Sequence, residues 1–123
     1  MQRVGIDITA VDRLESVIRR HPQVLTRLFA AEELVDAGIG PERARRLAAR
    51  FAAKEAFVKA AQGLHGGSWR DIEVRRRANR APYFVFHGPI DAWMKAEGLT
   101  AEVSLSHERR YATAVVLITE GDA

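Results

Sequence analysis

Four features of this chain place reactive residue types where they could do chemistry. They are Asp7 on an alternating segment, Glu55 and Lys59 in the run Phe51-Ala52-Ala53-Lys54-Glu55-Ala56-Phe57-Val58-Lys59, His107 after Ser104 and Ser106, and a large complement of arginine. At about 100° per residue, Glu55 and Lys59 fall inside the arc marked by Leu47, Ala48, Phe51 and Ala52, the arc expected to face the core. Inward charges are costly unless they are paired or bound to a metal, so such a helix reads as one wall of a site. The competing reading is an i,i+4 ion pair on a solvated face, worth about 0.2–0.5 kcal/mol. Ser106-His107 adjacency does not suggest a hydrolase, because triad members meet in space from separate segments and the chain has no Gly-x-Ser-x-Gly elbow. It also has no Walker loop and no dinucleotide fingerprint. Two oxygen ligands, one lysine and many arginines suit Mg²⁺ with a phosphorylated substrate, since Mg²⁺ is held by one or two carboxylates while phosphates and waters complete its shell.

Those groups need elements to hold them. Val4, Ile6 and Ile8 alternate with Gly5 and Asp7, which predicts a strand whose second face carries a lone carboxylate. A helix with Leu14, Val17 and Ile18 at helical spacing is ended by His21-Pro22. A short helical piece holds Val24, Leu25, Leu28 and Phe29, and Gly38-Ile39-Gly40-Pro41 reads as a loop leading into a long helix from about residue 41 to 62, stopped by Gly63. Phe57 lies about 160° from Lys59 on that helix, so two of its faces want cover. Ile72-Glu73-Val74 and Tyr83-Phe84-Val85-Phe86 read as strands joined by a basic connection. Ile90, Trp93 and Met94 fit a helix ended by Gly98, followed by a strand with Val103, Leu105 and His107 and a last strand over residues 112–119. This order predicts an α+β fold, with helices packed on an antiparallel sheet.

Composition narrows the class. A chain of 123 residues with 47% hydrophobic content is expected to form one domain over residues 1–123. Asp7, Asp12 and Glu15 near the start, and the lack of 18 successive apolar residues, predict a cytoplasmic protein with no membrane partner. Absence of cysteine removes disulfides, thiolate zinc sites and thiol nucleophiles. The net charge of +3 is carried mainly by arginine, with lysine only at Lys54, Lys59 and Lys95. Arginine favours phosphate and carboxylate partners, although alanine and arginine enrichment also follows from GC-rich coding. A small basic non-catalytic binding module, for nucleic acid or an acidic protein, is the alternative class. It lacks interleaved aromatics and a recognition motif.

Gly5-Ile6-Asp7, followed by Phe51-Ala52-Ala53-Lys54-Glu55-Ala56 and then Lys59, resembles the paired signature of the 4′-phosphopantetheinyl transferases. Asp71-Ile72-Glu73-Val74, Val103-Ser104-Leu105-Ser106-His107 and Tyr111-Ala112 extend the resemblance over nearly the whole chain. They point to the small, single-unit branch, the holo-[acyl-carrier-protein] synthases. One departure stands at Asn79-Arg80-Ala81-Pro82, where relatives usually have a glycine just before the hairpin proline. Asn79 tolerates left-handed geometry, so the turn is expected in altered form.

The resemblance implies transfer of the phosphopantetheine arm of coenzyme A to a serine of an apo acyl carrier protein, releasing adenosine 3′,5′-bisphosphate. It implies that Asp7 and Glu55 hold Mg²⁺, that Lys59 meets the leaving phosphate, and that His107 makes a further phosphate or ribose contact. Arg43 and Arg50 become candidates for the nucleotide phosphates, and Arg13, Arg20 and Arg27 for docking the acidic carrier protein. Glu55 or a metal-ordered water could take the serine proton. Relatives of this size resemble one another in forming trimers with coenzyme A between subunits, so a homotrimer is expected, with no nucleic-acid partner. Whether the carrier serves fatty-acid or polyketide synthesis stays open.

Overall fold

The computed structural model of the chain describes residues 2–121. β1 (Gln2–Ala10) leads into α1 (Val11–Arg20), α2 (Val24–Leu28), α3 (Ala31–Ala37) and α4 (Arg43–Ala61); β2 (Ile72–Arg76), β3 (Pro82–Phe86), α5 (Gly88–Ala96), β4 (Leu99–His107) and β5 (Tyr111–Glu120) follow. The α+β class is as expected, but the strands form two sheets. β1, β5 and β4 make a three-stranded antiparallel sheet with β5 in the middle, and β2 with β3 makes a separate hairpin. In the register of the first sheet, Gly5 lies opposite Val116, Asp7 opposite Ala114, and His107 opposite Ala112.

α4 is covered on nearly every side, and that is why the strands separate. Its alanines 48, 49, 52, 53, 56, 60 and 61 are all buried, as are Leu47 and Phe57. Small side chains let neighbours approach from several directions at once. Phe57 packs on Phe84 and Phe86 of the hairpin, with ring centroids 5.6 and 4.8 Å away. Its cover therefore comes from its own chain, and it gives no reason to expect a second subunit. A smaller cluster joins Val11, Leu14, Phe29, Ala37 and Leu47.

Two boundaries and one element differ from the sequence reading. α4 begins at Arg43, two residues after Pro41. It ends with Gln62 in the left-handed conformation (φ 62°), so Gly63 (φ 135°) is the second positive-φ residue of the stop. α3 was not anticipated; its short Ala-Glu-Glu-Leu-Val-Asp-Ala sequence is anchored through a charged residue rather than an apolar stripe. β1 alternates as expected, with its polar face turned inward. Gly5, Asp7 and Thr9 are buried against α4, whereas Val4, Ile6 and Ile8 are 67%, 67% and 61% exposed. Their cross-strand neighbours Leu117 and Val115 are also exposed. The outer face of the sheet is thus an apolar stripe open to solvent.

Candidate active site

The backbones of β1 and α4 touch at Gly5. A Cβ built there would collide with the Ala56 carbonyl oxygen and lie 2.9 Å from the Ala60 nitrogen. Only glycine permits this approach. Glu55 and Lys59, the residues just before Ala56 and Ala60, consequently hang over Asp7. Lys59 Nζ donates to Asp7 Oδ1 at 2.9 Å and to the Ile6 carbonyl at 3.0 Å. Thr9 Oγ1 donates to Asp7 Oδ2 at 3.4 Å. Glu55 completes the cluster as the carboxyl neighbouring Asp7. Desolvation first, and then the Asp7 carboxylate, push its pKa up to about 7, against the pull of Lys59. Lys59, held by the same Asp7 hydrogen bond and charge, is raised above its ordinary value. Two neighbouring carboxyl groups, one of them kept from ionising easily by burial and by the other's charge, offer hard oxygen donors of the kind a divalent cation takes.

The helix wheel misjudged one charge. Glu55 is half-buried, but Lys59 is exposed at the rim, and the fully buried cation is Lys54. Lys54 Nζ donates to Glu33 Oε1 at 2.7 Å, to the Trp69 carbonyl at 3.0 Å and to the Ile72 carbonyl. Glu33, equally buried, accepts from the backbone N–H groups of Ala30 (3.0 Å) and Val74 (3.1 Å). Burial lowers the Lys54 pKa and the Glu33 charge opposes that fall. This pair ties α3, α4 and β2 together and faces no cleft.

A second feature lies about 140° around α4, the angle from Glu55 back to Arg50. A cleft of about 520 Å³ is walled by Arg45, Arg46 and Arg50 from α4 and by Arg76, Arg77 and Arg80 from the hairpin, with His107 at the end of β4. Two acids offset the six arginines: Glu42 pairs with Arg45, and Asp36 lies 3.8 Å from Arg50. Arg50 is 3% exposed and its Nε has no hydrogen-bond partner. Burial lowers its pKa, with Glu33 opposing. A buried guanidinium with a free donor among excess positive charge is an arrangement that an anion would satisfy.

The expected turn at the hairpin tip is altered, though differently from the sequence reading. Asn79 uses its side chain to accept the Ala81 N–H at 3.0 Å, and it is Arg80 that adopts the left-handed conformation (φ 71°).

The other sequence candidates fall as follows. Arg43 lies outside the arginine cleft, beside Ile18 and Ile39. Arg13 shares a third cleft, of about 340 Å³, with Glu55, Leu14, Val17, Leu28 and Phe51. Arg20 is exposed and donates to Ser16 Oγ at 3.1 Å, and Arg27 is exposed in the last turn of α2. His107 and Asp7 sit on the two outer strands of the sheet with β5 between them. One chain therefore gathers Asp7, Glu55 and Lys59 on one side of α4, and Arg50 with His107 on the other. Sequence reasoning missed Arg46, Arg76 and Arg80, for which the cluster Arg75-Arg76-Arg77 was the available signal, and it missed Glu33.

The model of the 4′-phosphopantetheinyl transferase superfamily matches residues 3–116, and the chain belongs to that superfamily. Within it, the chain is 41% identical to a holo-[acyl-carrier-protein] synthase of Moorella thermoacetica, over 96% of this chain and 94% of the relative. A crystal structure of the synthase from Neisseria meningitidis superposes with a TM-score of 0.86 at 29% identity, covering 95% of this chain and 97% of that one. The Helicobacter pylori synthase in complex with coenzyme A superposes with a TM-score of 0.81 at 28% identity, covering 94% and 99%. Among the described residues, no helix is long and apolar enough to cross a membrane.

Proposed function

We propose that this protein is a holo-[acyl-carrier-protein] synthase that moves the 4′-phosphopantetheine arm of coenzyme A to a serine hydroxyl of an apo acyl carrier protein. The observation that carries the reading is the Asp7, Glu55 and Lys59 cluster, seated in the paired signature of the superfamily. The serine oxygen forms a new bond to the phosphorus bearing the pantetheine, the pyrophosphate bridge breaks, and adenosine 3′,5′-bisphosphate leaves. Such transfers are catalysed chiefly by positioning and by neutralising charge. Asp7 and Glu55 would hold Mg²⁺. Their oxygen chemistry fits it, and because no group of three or more acidic, His or Cys ligands occurs among the described residues, substrate phosphates and waters would complete the shell. When bound, the ion would supply charge neutralisation at the pyrophosphate. Lys59, oriented by Asp7, meets the leaving phosphate. Arg50 and His107 take the nucleotide phosphates, and Arg46 joins them as a residue of the same wall.

Those two halves face opposite sides of α4, which supports a site completed between copies of the chain. A contact that joins two different patches is heterologous and closes into a ring when its rotation allows, and a homotrimer is the ring we assign. The open apolar stripe of Val4, Ile6, Ile8, Val115 and Leu117 offers the face to be buried. Ile6→Glu is expected to give a monomer by light scattering, with transfer activity lost in parallel. A monomeric variant with full activity would refute the shared site.

The carrier docks on α1. Arg13 shares its cleft with Glu55, and Arg20, seven residues on, shares its helix face; Arg27 extends the basic surface. Exposed charges govern encounter and partner choice. Arg13→Glu combined with Arg20→Glu is expected to raise KM for the carrier by at least about tenfold, roughly 1.4 kcal/mol, with KM for coenzyme A little changed. Equal effects on both substrates would return these arginines to a solvating role.

The decisive assay incubates apo carrier protein with coenzyme A and Mg²⁺ and weighs the product. A gain of one phosphopantetheine group supports the reading; a nucleic-acid complex without that product favours a basic binding module. The reading fits one catalytic unit over residues 1–123 acting in the cytoplasm.

A further inference from the structure

Arg80 combines two unfavourable features with no contact in return. Its backbone sits at φ 71°, a region that residues with a Cβ adopt only at a cost and glycine adopts freely. Its charge adds to burial, the larger cause, in lowering the pKa of the neighbouring Arg76 guanidinium. The backbone of Arg80 is fully used: its N–H donates to the Arg77 carbonyl at 2.8 Å, and its carbonyl accepts from Arg76 Nη1 at 2.9 Å. Its guanidinium makes no hydrogen bond or ion pair among the described residues, is exposed, and forms part of the wall of the arginine cleft. Arg77, by comparison, lies 4.5 Å over the Tyr83 ring.

Strained backbone held by its surroundings concentrates where a ligand uses it. The hydrogen bonds on both sides of Arg80 fix the strained turn, and the turn fixes where the side chain leaves the hairpin. Across the cleft, Arg50 offers an unpartnered Nε from a buried position. We propose that Arg80 is a ligand-binding residue for the phosphate-bearing nucleotide end of coenzyme A, closing the cleft from the hairpin side opposite Arg50. The inference rests on the assignment of coenzyme A to this cleft made above. Bound phosphate would also relieve the repulsion between Arg76 and Arg80, so anion binding and hairpin order become coupled.

The test separates backbone from side chain. Binding of adenosine 3′,5′-bisphosphate is measured by calorimetry, and Tm by scanning the ligand-free protein, for wild type, Arg80→Gly, Arg80→Ala, Arg50→Ala and a charge-loss control, Arg70→Ala. Arg80→Gly is expected to raise Tm by about 3–5 °C while weakening binding about tenfold. Arg80→Ala keeps the strained backbone, so it is expected to weaken binding equally without the gain in Tm. Arg70→Ala should bind as wild type. The Arg80 losses should shrink at high salt as the charges are screened. If Arg50→Ala loses affinity and both Arg80 variants keep it, the role of Arg80 is overturned and the cleft assignment stands. If Arg50→Ala also binds normally, the cleft assignment itself falls, and Arg80 with it.

Discussion

Asp7→Asn and Glu55→Gln are each expected to lower transfer by at least about a hundredfold, the scale of disrupting a metal site or one preorganised electrostatic contact, while leaving the fold intact. Rates measured against Mg²⁺ concentration check the assignment, and near-normal activity of either variant at limiting Mg²⁺ would remove that residue from the metal site. Glu55→Gln carries a second signature without any substrate. In the native protein the Glu55 pKa is pushed up to about 7 from 4.5 by desolvation and by Asp7. Between those values the native state holds a proton that the unfolded chain has released. Stability of the metal-free protein is therefore full below the lower value and declines as pH rises through this window. Glutamine cannot ionise, so the Glu55→Gln protein should lack that decline, and near pH 7 its Tm should exceed that of wild type. A wild-type pH profile in the variant would mean that the slope arises elsewhere.

The buried Lys54–Glu33 pair predicts the largest effect on stability. Lys54→Met leaves the Glu33 carboxylate uncompensated in the interior, and Glu33→Ala strands the Lys54 ammonium together with the N–H groups of Ala30 and Val74. Each is expected to cost about 3–5 kcal/mol in urea unfolding. Combining Lys54→Met with Glu33→Leu should recover a good part of that loss, because two apolar side chains replace two charges, and the coupling between the sites should exceed about 1 kcal/mol. A cost below about 1 kcal/mol for either single change would contradict the role assigned here.

The periodic elements were legible in the chain because β1, α1, α5 and β5 each carry an apolar period, which α1, α5 and β5 turn to the core and β1 turns to the outer face. Asp7 and Glu55 were legible because two local patterns fix their faces, and the fold brings those faces together; Lys59 was singled out by the same run but reaches Asp7 from the rim. What escaped was set by contacts distant in sequence. Glu33 meets Lys54 across 21 positions, and nothing near either residue announces the other. The wheel placed Lys59 inward and overlooked Lys54, since it assumed one buried face on a helix that is covered almost all round. The alanine content of α4, read as close approach on several sides, would have corrected this. The inverted faces of β1 escaped for a related reason: its hydrophobic residues serve an outer surface, whereas its inner face is occupied by the site. At the hairpin, asparagine looked the better left-handed residue, but its side chain closes the turn and arginine takes the strain.

Gly5 has a consequence for how such a site can change. Because strand and helix meet there through main-chain atoms, the separation of the two backbones that carry Asp7 and Glu55 is gauged by peptide geometry. Substitutions at Ile72, Val74 or Ile90 can alter how firmly the protein holds together without touching the main-chain atoms that meet at Gly5. Much of the interior can thereby be re-engineered for hardiness with the approach of β1 to α4, which brings Asp7, Glu55 and Lys59 together, left as it was.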